Sequence, residues 1–436
     1  MTLKMMKTKK TFSCINLGCR VNLFEITAII NQMINSGFKY IKDYKKSNIC
    51  IINTCTVTSR ADSKCRNIIN RINKLKNNEV LVIMGCYSQI NYQYIGFQGD
   101  IILGNKYKNQ LPELINKFYK NHKQIIKVDD LSQERTFEEL PSYSFCENTR
   151  AVIKIQDGCD FMCSYCLIPF ARGRQRSLDH KKILNTIVDL VDKGFYEIVL
   201  TGVNTAGYKD QNYSFYDLLC DIDKLPGNFR IRISSIEPFQ ISKNIINLIT
   251  KNQNRWVQEF HLCLQSANDE ILKAMNRKYT IKQFIELCNY IRLKNPLASI
   301  TTDYIVGYNN ETEKIFKDCI NKLKIINFAY MNIFPYSVRQ KTKGSFEKNK
   351  VETKTKFLRA KKIQTLADSC TKKYLDRFID KTVNVWFEHS NCKAIQTGHS
   401  EFFFKVYVKT RKNLHNKLLK ILITKNENNK LFGRIV

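Results

Sequence analysis

The sequence lacks an apolar run long enough to cross a membrane. No stretch approaches the roughly 18 consecutive apolar residues of a transmembrane helix. The first ten residues, MTLKMMKTKK, are basic, but the apolar segment of a secretory signal does not follow them. With 43% hydrophobic and 25% charged residues, the composition is that of an ordinary soluble globular protein. We therefore expect a cytoplasmic protein with no membrane partner.

Acidic residues are few relative to basic ones. The chain has 39 Asp and Glu against 71 Lys and Arg, a formal net charge of +32. Such an excess is typical of proteins that bind polyanions, above all nucleic acid. Because Lys, Asn and Ile are abundant throughout, as an A+T-rich genome would produce, the charge favours an RNA partner only modestly.

Cysteine, by contrast, is abundant. Sixteen cysteines in 436 residues do not resemble the short, densely cross-linked scaffold of a secreted protein, so metal or redox chemistry is the better interpretation. Ten of them stand alone on apolar segments or in loops, and we interpret them as small buried hydrophobic residues. These are Cys14, Cys50, Cys65, Cys146, Cys220, Cys263, Cys288, Cys319, Cys370 and Cys392.

Three further cysteines end short apolar runs near the N-terminus. TFSCINLGC ends at Cys19, SNICIINTC at Cys55 and EVLVIMGC at Cys86, and each run is typical of a buried strand. Helical patterns over residues 22–36 and 59–76 separate the strands, which predicts a parallel α/β domain. Because ligands bind beyond the carboxyl ends of such strands, we expect the three thiols to converge in a three-thiolate site.

The central region alternates six strand patterns with helical ones. Six β/α units predict a curved parallel sheet, either an incomplete TIM-like barrel or a doubly wound sheet, with polar residues clustered where several strands end. The strand patterns cover residues 151–156, 197–203, 229–236, 259–265, 299–307 and 328–337. The polar residues at strand ends include Thr201, Gly202, Asn204, Ser234, Ser235, Glu237, Gln265, Ser266, Asp303, Tyr336 and Ser337.

A C-x3-C-x2-C motif follows the first of these strands, in DGCDFMCSYCLIPFARGRQRS. Zinc at Cys163 and Cys166 would need further ligands to reach four, from Cys159, His180 or elsewhere. A redox C-x2-C pair would leave Cys159 unexplained. A 4Fe–4S cluster held by three thiolates would leave one iron open for a ligand with amino and carboxylate groups.

The motif resembles that of the radical S-adenosylmethionine (SAM) enzymes, in which the open iron chelates SAM and a 5′-deoxyadenosyl radical is produced. Across residues 12–345 the similarity narrows to the methylthiotransferases, and GCRVN resembles the subfamily that modifies N6-threonylcarbamoyladenosine at tRNA position 37. The matching segments are LGCRVNLFE, INTCTVTSRADSKCR, MGCYSQ, IQDGCDFMCSYCLIPFARGRQRS, EIVLTGVNTAGYKD, RISSIEP, HLCLQSANDEILKAMNRKY, TTDYIVG and FPYSVR.

The resemblance implies the cofactors and their ligands. Cys159, Cys163 and Cys166 would hold the SAM-cleaving 4Fe–4S cluster, and Cys19, Cys55 and Cys86 an auxiliary 4Fe–4S cluster that carries the sulfur. SAM contacts are expected at Thr201, Gly202, Ser235, Glu237 and Gln265. Arg172 and Arg277 are candidates for the SAM carboxylate or an RNA phosphate, or for a packing role. Three loops, at residues 267–268, 308–310 and 340–341, depart from the family pattern.

The C-terminal residues follow a different pattern. Residues 351–377 predict a basic helix, and the apolar runs after it predict a small antiparallel β-barrel in which 11 Lys and Arg accompany four Asp and Glu. The resemblance implies an RNA-binding TRAM domain there. The predicted organisation is an α/β domain over 1–125, a linker over 126–149, a partial (β/α)6 TIM-like radical SAM core over 150–350, a helical connection over 351–377 and the barrel over 378–436.

The implied reaction is methylthiolation of adenine C2 at position 37 in the tRNA anticodon loop, with an electron donor and a sulfur source as further partners. Single-stranded loops allow a base to be splayed into a pocket at low cost. The alternatives are the same reaction on N6-isopentenyladenosine, methylthiolation of a ribosomal-protein aspartate, and a noncatalytic RNA-binding protein stabilised by metal.

Overall fold

Two compact units make up the described part of the chain. The computed structural model describes residues 10–75, 77–96, 98–140, 149–390, 392 and 394–436. Cys146 and most of the second half of the predicted linker lie outside these residues. The described residues of Met1–Phe145, Gln156–Met162 and Cys166–Leu178 form the first unit, and those of Cys146–Ile155, Cys163–Tyr165 and Asp179–Val436 form the second. None of the described helices is both long and apolar enough to span a membrane.

A six-stranded parallel sheet organises the first unit. Its strands are β1 (Thr11–Asn16), β2 (Lys39–Tyr40), β3 (Ile49–Thr54), β4 (Val80–Gly85), β5 (Ile101–Leu103) and β6 (Ile125–Lys127), in the order β2-β1-β3-β4-β5-β6. Its helices are α1 (Arg20–Asn35), α2 (Ser59–Leu75), α3 (Cys86–Ile95) and α4 (Leu111–Asn121). The predicted alternation of strands and helices is confirmed.

The central strands of this sheet are apolar because helices cover both faces. Every residue of β3 and β4 is buried, as expected for parallel strands packed on two sides. Ile51 packs into the core formed with α1 and α4, whereas its neighbour Ile52 packs with Cys65 and Ile69 of α2. This alternation follows from the two-residue period of a strand.

The central elements follow in chain order. The strands are β7 (Arg150–Lys154), β8 (Gln156–Asp157), β9 (Arg176–Ser177), β10 (Glu197–Thr201), β11 (Lys209–Asp210), β12 (Tyr213–Ser214), β13 (Arg230–Ile233), β14 (Glu259–His261), β15 (Ser299–Val306) and β16 (Tyr330–Pro335). The helices are α5 (Ile168–Arg172), α6 (His180–Asp192), α7 (Phe215–Lys224), α8 (Lys243–Lys251), α9 (Asp269–Ala274), α10 (Ile281–Lys294), α11 (Glu313–Ile326) and α12 (Lys343–Phe346).

The core of the second unit is an incomplete barrel rather than a doubly wound sheet. Parallel strands β13-β10-β7 form one sheet and β14-β15-β16 another. Single bridges join Ile231 to Trp256 and Ile236 to Leu262, so the ladder continues from β13 to β14. The six strands therefore follow one another in chain order without the reversal that defines a doubly wound sheet. The structure decides between the two alternatives that the strand pattern allowed.

Helix α13 (Thr353–Asp376) leads into a closed five-stranded barrel. Its strands are β17 (Thr382–Phe387), β18 (Ile395–Ser400), β19 (Lys405–Lys409), β20 (Leu418–Glu427) and β21 (Lys430–Ile435), in the order β17-β18-β19-β21-β20. The predicted antiparallel barrel is confirmed, except that β19 and β21 pair in parallel. The sequence patterns missed β18, because its buried positions are Gln396, Gly398 and Ser400 rather than apolar residues.

Candidate metal centres

Cys19, Cys55 and Cys86 come together at the carboxyl edge of the first unit's sheet. Cys19 is the residue before α1, Cys55 directly follows β3, and Cys86 begins α3 directly after β4. Burial, followed by the charges of the Cys86 and Cys19 thiolates, raises the pKa of Cys55 to about 12. This mutual influence requires the three sulfurs to be near neighbours. The predicted convergence of the three residues is what the fold produces.

Gly85 sets the position of Cys86 in this group. It has φ +103, and a Cβ added there would lie 2.5 Å from Asn53 Oδ1 and 2.7 Å from the Thr54 carbonyl oxygen. The strand therefore turns into α3 against the neighbouring strand end, with no space for a side chain. This close approach brings Cys86 beside Cys55.

Two buried asparagines, Asn22 and Asn105, contact the same cysteines. Asn22 Nδ2 donates to the Leu17 and Thr54 carbonyl oxygens at 3.0 and 2.9 Å, and its Oδ1 lies 3.6 Å from Cys19 Sγ. Asn105 Nδ2 lies 3.4 Å from Cys86 Sγ. Sequence reasoning did not single out either residue. The position of Asn22 in GCRVN, one helical turn after Cys19, was the available signal.

A buried charge network backs this cysteine group. Arg172 donates to Glu25 Oε1 at 2.9 Å, Asp157 Oδ1 at 3.1 Å and Asn22 Oδ1 at 2.9 Å. Lys108 lies 2.7 Å from Glu25 Oε2, and both side chains are at most 1% exposed. Burial lowers the pKa of Arg172, but the charges of Cys86, Glu25 and Asp157 outweigh it and raise the pKa overall. Arg172 thus has the packing role, since buried carboxylates already pair with its charge.

Cys65 is a fourth thiol beside the group. Its Sγ donates to the Cys55 carbonyl oxygen at 3.3 Å and lies 3.4 Å from the Cys55 backbone nitrogen. The side chain also packs in the apolar layer with Cys50, Ile52 and Ile69. These contacts support the interpretation of Cys65 as a buried hydrophobic residue that fixes the backbone of Cys55.

Cys159, Cys163 and Cys166 lie on one loop between β8 and α5, and each is partly exposed. In the first unit, the Cys159 backbone nitrogen donates to the Gly173 carbonyl oxygen at 3.1 Å, and the Ile168 backbone nitrogen donates to Cys166 Sγ at 3.5 Å. Gly158 precedes the motif with φ +68, and a Cβ there would lie 1.9 Å from the Arg174 carbonyl oxygen. The loop is therefore held closely at both of its ends.

Arg277 supports the middle of the motif within the second unit. It donates to Cys163 Sγ at 3.5 Å and to the Cys263 carbonyl oxygen at 2.9 Å, and it forms an ion pair with Glu237. The guanidinium side chain is only 2% exposed. Arg277 therefore positions Cys163, and its charge is paired with Glu237.

The predicted SAM contacts all lie at carboxyl ends of strands of the second unit. Thr201 ends β10 and Gly202 follows it. Ser235 and Glu237 follow β13, and Gln265 follows β14 with a left-handed backbone, φ 63. Among these, Glu237 is paired with Arg277 as described. The structure places all five at one edge of the sheet, where parallel β/α proteins bind ligands.

Two of the loops that depart from the family pattern have local explanations. Asn268 caps α9, since its side chain accepts from the backbone nitrogens of Glu270 and Ile271, a role for which Asn is as well suited as Ser. Asn309 Nδ2 donates to the Gly344 carbonyl oxygen at 2.7 Å. Ala267 is fully buried. These substitutions keep the loops anchored rather than opening them.

The C-terminal barrel carries a basic groove of about 360 Å³. Lys425 lies 5.4 Å from the ring centre of Phe432, and Lys405 lies 5.5 Å from that of Tyr407. The two rings are 5.5 Å apart. Residues lining the groove include Lys409, Lys412, Lys425, Phe432 and Arg434. Lysines beside accessible aromatic rings suit a nucleic-acid strand, because phosphates pair with the charges and bases stack on the rings.

Comparison with known proteins identifies two family models along the chain. The radical SAM superfamily model matches residues 153–323, and Uncharacterized protein family UPF0004 matches residues 11–103. The chain is 32% identical to threonylcarbamoyladenosine tRNA methylthiotransferase MtaB of Bacillus subtilis, over 94% of this chain and 92% of that protein. Identity to tRNA-2-methylthio-N(6)-dimethylallyladenosine synthase of Natranaerobius thermophilus is 31%, over 100% and 99%.

Among solved structures, the fold is similar to the radical S-adenosylmethionine methyltransferase TsrM of Kitasatospora setae with cobalamin and a [4Fe-4S] cluster bound. The TM-score is 0.54 at 15% sequence identity, and 75% of each chain is covered. At this identity the likeness concerns the fold alone.

Proposed function

The chain belongs to the tRNA methylthiotransferases of the radical SAM superfamily, and on that premise we propose its substrate, N6-threonylcarbamoyladenosine at position 37 of tRNA. As a member, it uses SAM and two 4Fe–4S clusters. The reaction replaces the C2–H of the adenine by C2–S–CH3. When bound, the clusters and SAM supply the electron, the sulfur and the methyl group, chemistry that side chains lack.

Two sets of three cysteines fit the two clusters by their donor chemistry. Cysteine thiolate is the usual ligand of 4Fe–4S clusters, and each set offers three. The meeting of Cys19, Cys55 and Cys86 at one sheet edge is the observation that carries the proposal, because it offers ligands for a second cluster beside the one that the loop cysteines would hold. In this assignment they hold the auxiliary cluster, and the loop cysteines Cys159, Cys163 and Cys166 hold the SAM-cleaving one.

The remaining residues bind and orient. Arg277 holds Cys163 in the second unit. The SAM contacts proposed at the strand ends of that unit are Thr201, Gly202, Ser235, Glu237 and Gln265. In the first unit, Asn22 contacts Cys19 directly, and Arg172 holds Asn22 in place. The protein thus provides two sets of three cysteines for the two clusters.

The domain assignment proposed from the sequence accompanies this function. In this assignment residues 1–125 hold the auxiliary cluster and residues 126–149 form a linker. Residues 150–350 form the radical SAM core, residues 351–377 form a helical connection, and residues 378–436 bind RNA. The basic groove lined by Phe432, whose ring lies beside that of Tyr407, supports the last assignment, and it disfavours a ribosomal-protein substrate. A tRNA substrate is in keeping with a cytoplasmic location, and the anticodon loop suits a base that must leave its stack.

The substrate choice rests on the N6 group. Relatives named for threonylcarbamoyladenosine and for dimethylallyladenosine both match over nearly the whole chain, at 32% and 31% identity. The GCRVN segment favours the first. N6-isopentenyladenosine is the second candidate, and the near-equal identity is the observation in its favour.

Nucleoside mass spectrometry of tRNA tests the choice. The bacterial host makes both nucleosides but lacks its own methylthiotransferases for them. It is complemented with this chain. We expect the 2-methylthio derivative of N6-threonylcarbamoyladenosine to return and that of N6-isopentenyladenosine to stay absent. The Cys163→Ala variant, expressed to the same level, should restore neither. Restoration of the isopentenyl product alone would reject the proposed substrate.

A further inference from the structure

A buried asparagine, Asn105, contacts Cys86, one of the three cysteines assigned to the auxiliary cluster. Asn105 lies just after β5 and so reaches the same carboxyl edge of the first unit's sheet as these cysteines. Its Nδ2 lies 3.4 Å from Cys86 Sγ, and both residues are buried. Its backbone nitrogen donates to Gln89 Oε1 at 2.9 Å, which ties it to α3, the helix that Cys86 begins. Asn105 is therefore held beside Cys86 through its backbone as well as its side chain.

The neighbours of the Asn105 amide determine which end of it faces the sulfur. Its Oδ1 lies 2.8 Å from Lys108 Nζ, and its Nδ2 lies 2.7 Å from the Ala171 carbonyl oxygen. An ammonium group only donates and a carbonyl oxygen only accepts, so the reverse orientation would set donor against donor and acceptor against acceptor. The amide nitrogen therefore faces Cys86 Sγ, with one N–H directed to Ala171 and the other to the sulfur.

Lys108 holds the amide oxygen in place. Its Nζ forms an ion pair with Glu25 Oε2 at 2.7 Å, and both side chains are buried. If the ammonium lost the Asn105 oxygen, it would lose a hydrogen bond that water could not replace, because no solvent reaches it. Lys108 is thus a positioning residue, which acts on Cys86 only through Asn105.

Asn22, the other asparagine beside these cysteines, presents the opposite end of its amide. Its Nδ2 donates to two backbone carbonyl oxygens at 3.0 and 2.9 Å. Its Oδ1 accepts from Arg172 at 2.9 Å and lies 3.6 Å from Cys19 Sγ. An amide oxygen has no proton to donate to a thiolate. Of these two side chains, Asn105 is therefore the one that can stabilise negative charge on a cysteine sulfur.

An N–H directed at a ligand sulfur affects the two oxidation states of a cluster differently. One-electron reduction makes the sulfurs more negative, and hydrogen bonds to the sulfurs are among the factors that set the potential of a 4Fe–4S cluster. Because a hydrogen bond is stronger when its acceptor carries more negative charge, the reduced cluster is stabilised more than the oxidised one. The reduction potential therefore rises.

We propose that Asn105 donates a hydrogen bond to the Cys86 ligand of the auxiliary cluster and raises the reduction potential of that cluster, with Lys108 as the positioning residue. The inference rests on the proposed function, since it takes Cys19, Cys55 and Cys86 as the ligands. It gives Asn105 a role that the ligands alone do not supply, the adjustment of the electron affinity of the cluster.

The test observes the auxiliary cluster by itself. Full-length Cys163→Ala, reconstituted with iron and sulfide, should keep that cluster alone, and its electron paramagnetic resonance signal is followed in a redox titration with titanium(III) citrate. When Asn105→Leu or Asn105→Ala is added, we expect the ratio of reduced to oxidised cluster at a fixed potential to fall about 3- to 10-fold. Leu keeps most of the side-chain volume and Ala leaves room for water, so a fall common to both comes from the lost N–H.

Thr54→Val in the same background is the matched control. Thr54 is buried at the same edge of the sheet, and its hydroxyl donates to the Met84 carbonyl oxygen at 2.6 Å rather than to a sulfur. This variant should leave the ratio unchanged. A second measurement is the magnetic coupling between the reduced cluster and isotopically labelled asparagine side-chain nitrogen, which should be lost in Asn105→Ala and kept in Thr54→Val.

The outcomes separate the inference from the proposed function. An unchanged ratio in both Asn105 variants, or an equal fall in Thr54→Val, would overturn the role of Asn105 and leave the proposed function intact. Absence of the nitrogen coupling while Asn105 is present would overturn it as well, whether or not the substituted proteins fold. A Cys163→Ala protein that binds no iron, or that keeps its remaining cluster when Cys86→Ala is added, would overturn the ligand assignment of the proposed function itself.

Discussion

The two cysteine trios differ in how the chain brings them together. The first trio, Cys159, Cys163 and Cys166, lies within one loop. Because only a few residues separate these cysteines along the chain, they stay neighbours in most conformations of that loop. Cys19, Cys55 and Cys86 follow three different strands, so they are neighbours only when the parallel sheet has formed. The first trio is a local motif, and the second is a product of folding.

The ion pairs that support the two trios also differ, in how far they are buried. Arg172 and Glu25, behind the sheet-assembled trio, are each 1% exposed. Arg277, behind the loop trio, pairs with a Glu237 side chain that is 17% exposed. A site assembled from distant segments depends more on a fully desolvated frame, because nothing in the local chain holds its ligands. The predictions below test that dependence.

The largest effect is expected from the ligands themselves. Cys163→Ala should abolish SAM cleavage and methylthiolation, whereas Cys55→Ala should abolish methylthiolation but leave reductive SAM cleavage. Each variant should lower the iron content of the reconstituted protein from about eight to about four per chain, as measured by iron and sulfide analysis.

Cys65→Ser is the matched control, since Cys65 contacts Cys55 without belonging to the trio. It should retain about eight irons. A loss of four irons in Cys65→Ser would make Cys65 a ligand and contradict the assignment of the sheet-assembled trio.

Thiol reactivity in the cluster-free protein should separate folded from unfolded Cys55. Its pKa of about 12 leaves far less thiolate at pH 8 than an ordinary cysteine has, so alkylation by iodoacetamide should be on the order of 10³-fold slower than in urea. Because the pKa is raised, the rate in the folded protein should keep rising between pH 8 and 10. Peptide mass spectrometry measures it, and a plateau below pH 9 would contradict the raised pKa of the buried Cys55 thiol.

Removal of the buried cation should destabilise the first unit strongly. Arg172→Met removes one cation from a buried network and leaves Glu25 and Asp157 with only Lys108 and Arg176 as cationic partners, and we expect a loss of about 3–5 kcal/mol in the free energy of unfolding. Arg277→Met should cost about 1–3 kcal/mol, because Glu237 retains access to water. Urea denaturation of the cluster-free protein measures both, and equal losses would contradict the difference in support.

The smallest effects are expected at Gly85 and Gly158, the glycines that directly precede Cys86 and Cys159. Gly158→Ala should cost more than Gly85→Ala, since the nearest backbone oxygen would lie 1.9 Å from the new Cβ at Gly158 and 2.7 Å from that at Gly85. We expect about 1–3 kcal/mol for each. Gly194→Ala, with φ +85 and nothing within 4 Å, should cost about 1 kcal/mol. If Gly194→Ala proved as destabilising as the others, backbone strain alone, and not close packing at the cysteines, would explain the losses.

Much of the fold was predictable because buried parallel strands consist of runs of apolar residues, which are recognisable in the sequence. Residues 281–294 and α10 coincide, and α2 covers the helical pattern over 59–76 as far as Leu75, since residue 76 lies outside the described residues. β18 was missed because a small closed barrel places Gln396, Gly398 and Ser400 inward, where large apolar side chains do not fit: a Cβ on Gly398 would lie 2.4 Å from the Trp386 carbonyl oxygen.

The sequence by itself determined the loop motif, the strand and helix alternation and the presence of three cysteines at three strand ends, because each is a local pattern of residue types. Only the tertiary structure decided that the six central strands follow one another as an incomplete barrel, that Arg172 pairs with Glu25 and Asp157, and that Asn105 contacts Cys86. Strand order and side-chain contacts depend on pairing between distant segments, and no single segment encodes its partner.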